Sequence, residues 1–150
     1  MRYLICLAML ACGTAPSLAS GGLWCEADDA KVMFHIESGI TRGLGNPLFN
    51  FRGELEIKDP AVAGDLRKSS FEMNNLTQHW LDASDMRLQL YRERGGDGPG
   101  GEVELVILAK AVDEATFEGS YTLTVSDMTG VTTGEAKAQE FKGKASCSAE

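Results

Sequence analysis

The residues with the most definite chemistry are the cysteines, of which the chain of 150 residues has 4. Cys6 and Cys12 fall in an apolar N-terminal stretch, whereas Cys25 and Cys147 lie near the two ends of the remainder. Two cysteines left in an exported chain most simply pair, and unpaired thiols are disfavoured in oxidising compartments. A Cys25–Cys147 bridge is therefore expected, clipping the first and last segments together.

The other reactive side chains do not converge in the sequence. His35 and His79 have no cysteine or carboxylate partners at ligand spacing, and a metal site needs three or four convergent ligands. Asp28-Asp29 and the scattered acids offer carboxylate pairs, but none with a partner set to tune general acid–base catalysis. No Gly-x-Ser-x-Gly elbow occurs. The glycine-rich run 95–101 lacks the Lys-Ser/Thr that completes a phosphate loop and opens onto a strand pattern. Asn75-Leu76-Thr77 is a glycosylation sequon, to which no role is assigned. The expectation is a protein that is not an enzyme, with no catalytic residues, no metal and no cofactor.

The N-terminus reads as an export signal. Met1-Arg2 is a short basic start, residues 3–11 are apolar, and 12–19 are small residues with Pro16. Ser17 and Ala19 suit cleavage after Ala19, giving a signal over 1–19 and a domain over 20–150. The apolar run is too short to span a bilayer, which needs about 20 residues. Met9-Leu10-Ala11-Cys12 also resembles a lipobox, so lipid anchoring through Cys12 is the alternative to a free periplasmic or secreted protein.

Composition bounds the partners. Lys and Arg total 14 against 22 Asp and Glu, a net charge of -8. Nucleic acid and anionic membrane surfaces call for basic patches, so neither is an expected partner. A cationic protein would be attracted. No later stretch is long and apolar enough to be a transmembrane segment.

The elements that must position these residues are strands. Alternation runs through Val32–Ile36, Phe49–Ile57, Phe71–Met73, Met86–Leu90, Phe117–Val125 and Phe141–Cys147, with a doubly apolar run at Val103–Ala109. Asp59-Pro60 ends the second of these, because proline cannot continue a ladder. Adding Leu23–Ala27 gives about eight strands, the count that closes a small barrel. Residues 61–68 and 77–84 are the only stretches that suit a helical turn. Loops are expected at 40–47, 95–101 and 126–134. The fold class is thus all-β: one antiparallel domain, an eight-stranded barrel closed by one disulfide, with a β-sandwich as the alternative. In a barrel the first and last strands must pair to remove the open edges.

Phe34, Phe49, Phe51, Phe71, Phe117, Tyr121 and Phe141 all fall on inward phases. They form either a packed aromatic core or the lining of a cavity, since eight strands enclose side chains or one small ligand. Gly53, Gly119 and Gly143 share that phase and mark either sharp bends or room for large neighbours. Trp24 and Trp80 stand outside clean alternation, as candidates for a cavity mouth or a partner contact.

Val32-Met33-Phe34-His35-Ile36-Glu37-Ser38 followed by Phe49-Asn50-Phe51-Arg52-Gly53-Glu54-Leu55-Glu56-Ile57 resembles the opening of the YceI-like periplasmic barrels. That resemblance implies a barrel that holds a polyisoprenoid, and it carries over no ligand residue. In size, acidity and expected compartment the chain is also similar to the disulfide-bonded barrels that inhibit lysozymes. The leading expectation is an exported binding protein for a small apolar ligand. The alternative is a protein–protein module, such as an inhibitor of a cationic cell-wall enzyme or an envelope assembly factor.

Overall fold

The computed structural model describes residues 21–41, 45, 47–134 and 136–150. The expected signal, its cleavage site and Cys12 lie outside the described residues, as does part of the 40–47 loop.

Nine strands form one antiparallel sheet. They are β1 (Gly21–Asp28), β2 (Val32–Ile40), β3 (Leu48–Ile57), β4 (Lys68–Glu72), β5 (Leu76–Leu81), β6 (Asp85–Glu93), β7 (Gly101–Ala111), β8 (Thr116–Asp127) and β9 (Lys137–Ala149). The order across the sheet is β4-β3-β2-β1-β9-β8-β7-β6-β5. A short helix α1 (Gly64–Arg67) falls inside the expected 61–68 stretch. The other stretch expected to turn helically, 77–84, is instead mostly β5. Gln78, His79, Trp80 and Leu81 gain a cross-strand partner in β6, and pairing of that kind overrides weak local preference.

The ninth strand is half of an eighth. Six antiparallel steps separate β3 from β6, so these two run in the same direction. Because β4 opposes β3 and β5 opposes β6, β4 and β5 also run the same way. They are one span, 68–81, interrupted by a single 3-10 turn at Met73–Asn75. Its first half pairs with β3 and its second half with β6, which draws the sheet into a nearly closed barrel.

The first and last strands pair as closure requires, and Cys25 sits directly opposite Cys147. Their sulfurs are bonded at 2.03 Å, with the Cα atoms 4.0 Å apart. The bridge faces inward, where Met86 Sδ of β6 lies 3.5 Å from Cys25 Sγ.

Inward phases fill the interior. Tyr121, Phe34 and Phe71 are fully buried among Leu23, Ile36, Leu88, Leu105 and Ile107. Tyr121 meets Phe34 edge to face, with centroids 5.4 Å apart, the arrangement ring quadrupoles favour. Two of the inward glycines have distinct reasons. A Cβ on Gly119 would fall 1.9 Å from the Leu108 carbonyl oxygen, so β7 approaches the β8 backbone too closely for any side chain. A Cβ on Gly143 would fall 2.5 Å from the Tyr121 ring, so this glycine makes the room that the ring occupies.

One end of the barrel is covered by α1. Leu66 is buried, and the helix packs against β3, β4 and β7. Arg94, at the end of β6, ties this cover down. Its guanidinium binds both carboxylate oxygens of Asp65, one of Asp127 at 3.0 Å, Thr129 Oγ1 and the Pro99 and Gly100 carbonyls.

Candidate functional site

The expected cavity-lining aromatics divide. Phe34, Phe51, Phe71, Phe117, Tyr121 and Phe141 are all buried in one apolar cluster. Phe49 is a correction: it faces outward and is 39% exposed. Asn50 takes a left-handed φ of 51°, and the β2–β3 register shifts between Glu37 and Gly39. That irregularity inverts the phase upstream of Phe51, since a one-residue offset turns every side chain to the other face. The Phe49 ring then lies over Gly39, its cross-strand partner.

Trp24 is also on the outer wall, folded back over Gly22 of its own strand. Gly22 pairs with Gly39, so two outward aromatic rings cover two neighbouring glycines. Trp80 is on β5, 58% exposed, with its indole N–H donating to Asp82 Oδ2 at 2.9 Å.

The outer wall carries an arrangement that sequence alternation could not show. Cross-strand registers align Glu54 of β3, His35 of β2, Glu26 of β1, Ser146 of β9 and Glu118 of β8 in one row. Beside it, Glu56, Met33 and Asp28 form a second row, and Arg52, Glu37 and Trp24 a third. A recess of about 960 Å³ crosses this wall, lined by Glu26, Asp28, Met33, His35, Glu118 and Lys144 among others. Cations answer only some of these acids: Arg52 binds Glu37, Lys58 binds Asp28 at 2.6 Å and Lys68 lies 3.5 Å from Glu56. Glu26, Glu54 and Glu118 form none of the ion pairs found among the described residues.

The histidines lie on different strands, β2 and β5. His35 is exposed at the centre of the acidic wall, its Nε2 4.0 Å from Glu37 Oε2. His79 is exposed on β5. Among the described residues no three His, Cys, Asp or Glu side chains converge to hold a metal ion. The strongest carboxylate perturbations belong to turns and to the Arg94 network. The Thr129 hydroxyl and Arg94 hold Asp127 down at about 2. The Ser84 and Asp85 N–H groups and the Trp80 indole hold Asp82 well below the usual carboxylate range. No helix among the described residues is long and apolar enough to cross a membrane.

The sequon asparagine is structural here. Asn75 Oδ1 accepts the Glu72 N–H at 2.9 Å, and its Nδ2 donates to the Tyr91 carbonyl at 3.1 Å. The side chain thereby pins the turn where the 68–81 span changes partners.

No family model, no curated protein and no solved structure matches the chain.

Proposed function

We propose that this is an exported, non-enzymatic binding protein that receives a cationic protein on its outer wall. The observation that carries the reading is the row Glu54–His35–Glu26–Ser146–Glu118, with exposed Met33 and Trp24 in the flanking rows. Glu26 and Glu54 have no cation opposite them in register, and Glu118 faces Lys110 of β7, so carboxylates are in excess along the row; such an excess speeds encounter with a positive partner and rejects a negative one. The apolar side chains among them supply area to bury, as aromatic and Met residues do in interface cores. Of the aromatics expected to line a cavity, six lie in the buried apolar cluster and Phe49 lies outside it.

The test uses lysozyme as a basic probe. Binding is expected at about 0.01 M salt, where the Debye length is about 30 Å, and loss near 1 M, where it is about 3 Å. Replacing Glu26, Glu54 and Glu118 together by Gln should weaken binding about tenfold at low salt. Absence of binding by the wild type at low salt would overturn the reading. Native mass spectrometry of the mature protein supplies the contrast: a retained apolar molecule would put the ligand inside the barrel.

A further inference from the structure

His35 stands where the acids of the outer wall meet. Glu26 of β1 faces it on one side and Glu54 of β3 on the other. Side chains so opposed have Cβ atoms about 5 Å apart. On its own strand, Glu37 Oε2 lies 4.0 Å from the imidazole Nε2. Beyond His35, Glu26 faces Ser146 of β9 and Glu54 faces Ser70 of β4. His35 is therefore the only side chain in register with either carboxylate that can become a cation.

Three cations of the neighbouring rows bind other acids. Arg52 binds Glu37, Lys58 binds Asp28, and Lys68 of β4 lies 3.5 Å from Glu56. Lys144 of β9 and Glu118 of β8 line the main recess with His35, and Glu118 faces Lys110. Three recesses of the wall share His35 in their lining. One is that of about 960 Å³, one of about 410 Å³ includes Lys68 and Ser70, and one of about 280 Å³ includes Trp24 and Ser146. The side chain is 54% exposed, so a partner seated on this wall meets the imidazole together with the carboxylates beside it.

We propose that His35 is a pH-sensitive switch on the outer wall: its protonation releases the cationic partner that the neutral imidazole admits. Histidine is the side chain whose ordinary titration changes its charge between pH 5 and 8. Neutral, it leaves Glu26 and Glu54 to cations from outside. Protonated, it sets a positive charge between them and takes from within the place that a lysine or arginine of the partner would fill. The row becomes less negative as pH falls, so its attraction for a positive partner falls too. The inference rests on the reading of this wall as the site for a cationic protein and names how that site is regulated.

Lysozyme is again the probe, at about 0.01 M salt, where charges act over about 30 Å. Its affinity is measured at about pH 7.5 and about pH 5.5, on either side of the ordinary histidine titration. His35→Gln stays neutral at both. The variant meets the same probe with the same carboxylates, so the ratio of wild-type to variant affinity isolates the charge on residue 35. That ratio should lie within about twofold of unity at the higher pH. It should fall about threefold or more at the lower, the worth of one unit charge a few ångströms away in water. His35→Arg carries the charge throughout and should bind at least about threefold more weakly than the wild type at the higher pH. A ratio that stays constant while lysozyme binds, or a His35→Arg protein that binds like the wild type at the higher pH, would overturn the switch and leave the outer-wall reading standing. No binding by the wild type or by His35→Gln at either pH would overturn both.

Discussion

Tyr121 Oη donates to Asp29 Oδ2 at 2.5 Å, joining β8 to the β1–β2 turn across 92 positions of sequence. Asp29 Oδ1 also accepts the Lys31 and Val32 N–H groups, so one carboxylate shapes the turn and anchors it to the core. Burial opposes ionisation of Asp29, but the Tyr121 hydroxyl and the two N–H groups outweigh it and keep the pKa low. Tyr121→Phe keeps the ring on Phe34 and removes only the donor. It should cost about 1.5–3 kcal/mol, the range for a hydrogen bond to a charged group, measured by urea unfolding near neutral pH.

The same pair contributes to behaviour in alkali, beside Tyr91, whose phenol is raised by its hydrogen bond to Glu102. Burial, and then the Asp29 carboxylate, push the Tyr121 phenol well above its ordinary value. Above about pH 10 the unfolded chain loses this proton while the fold retains it, so stability falls as pH rises. Thermal melts between about pH 9 and 11 should show the fall, and Tyr121→Phe should reduce its slope. An unchanged slope in the variant would remove Tyr121 as its source.

Arg94 closes the other account of pH. The Arg94 guanidinium is the first cause of the lowered Asp65 pKa, and with the Thr129 hydroxyl it holds Asp127 at about 2. Stability from these depressed carboxylates is present above their unfolded value of about 4 and lost as pH falls toward 2. The Arg94 side chain is only 10% exposed, so Arg94→Ala leaves its partners unanswered and should cost about 1–3 kcal/mol at neutral pH. It should also flatten the acid limb of the stability curve and speed proteolysis near α1, which Arg94 holds through Asp65.

The disulfide is a third, separate support. Reduction frees ends 122 residues apart in sequence, and the chain-entropy model assigns a loop of that size about 4–5 kcal/mol. Cys147→Ser should lower the melting temperature under non-reducing conditions, and reductant should lower the wild type to match it. A variant that melts with the oxidised wild type would mean that β1 and β9 hold together without the bond.

Much of this was legible as phase. Alternation placed Phe34, Phe51, Phe71, Phe117, Tyr121 and Phe141 inward, and cysteine arithmetic joined Cys25 to Cys147, because both depend on local periodicity and compartment chemistry. Phe49 was misplaced because a left-handed Asn50 is invisible to a period-two pattern. β5 was missed because its pairing comes from a span that changes partners, and neither half is long enough to announce itself. The acidic row depends on the register of five strands, so Glu26, Glu54 and Glu118 are unrelated in sequence and share a row only once those strands pair.

Two of the inward glycines, Gly53 and Gly119, give a test of that closure. On sequence they are alike, each a small residue on a buried phase. A Cβ on Gly53 would lie 3.1 Å from Ile36 Cγ1, a side-chain contact that a shift of a few tenths of an ångström relieves. A Cβ on Gly119 would meet the Leu108 carbonyl oxygen and Ala109 Cα, which move only with the β7 backbone. Overpacking that forces backbone shifts costs about 1–3 kcal/mol and occasionally more. Gly119→Ala should therefore lose at least about 3 kcal/mol, while Gly53→Ala should lose about 1 kcal/mol or less. Chemical denaturation of both variants reads the difference. Equal losses would mean that β7 and β8 do not approach as closely as the barrel requires.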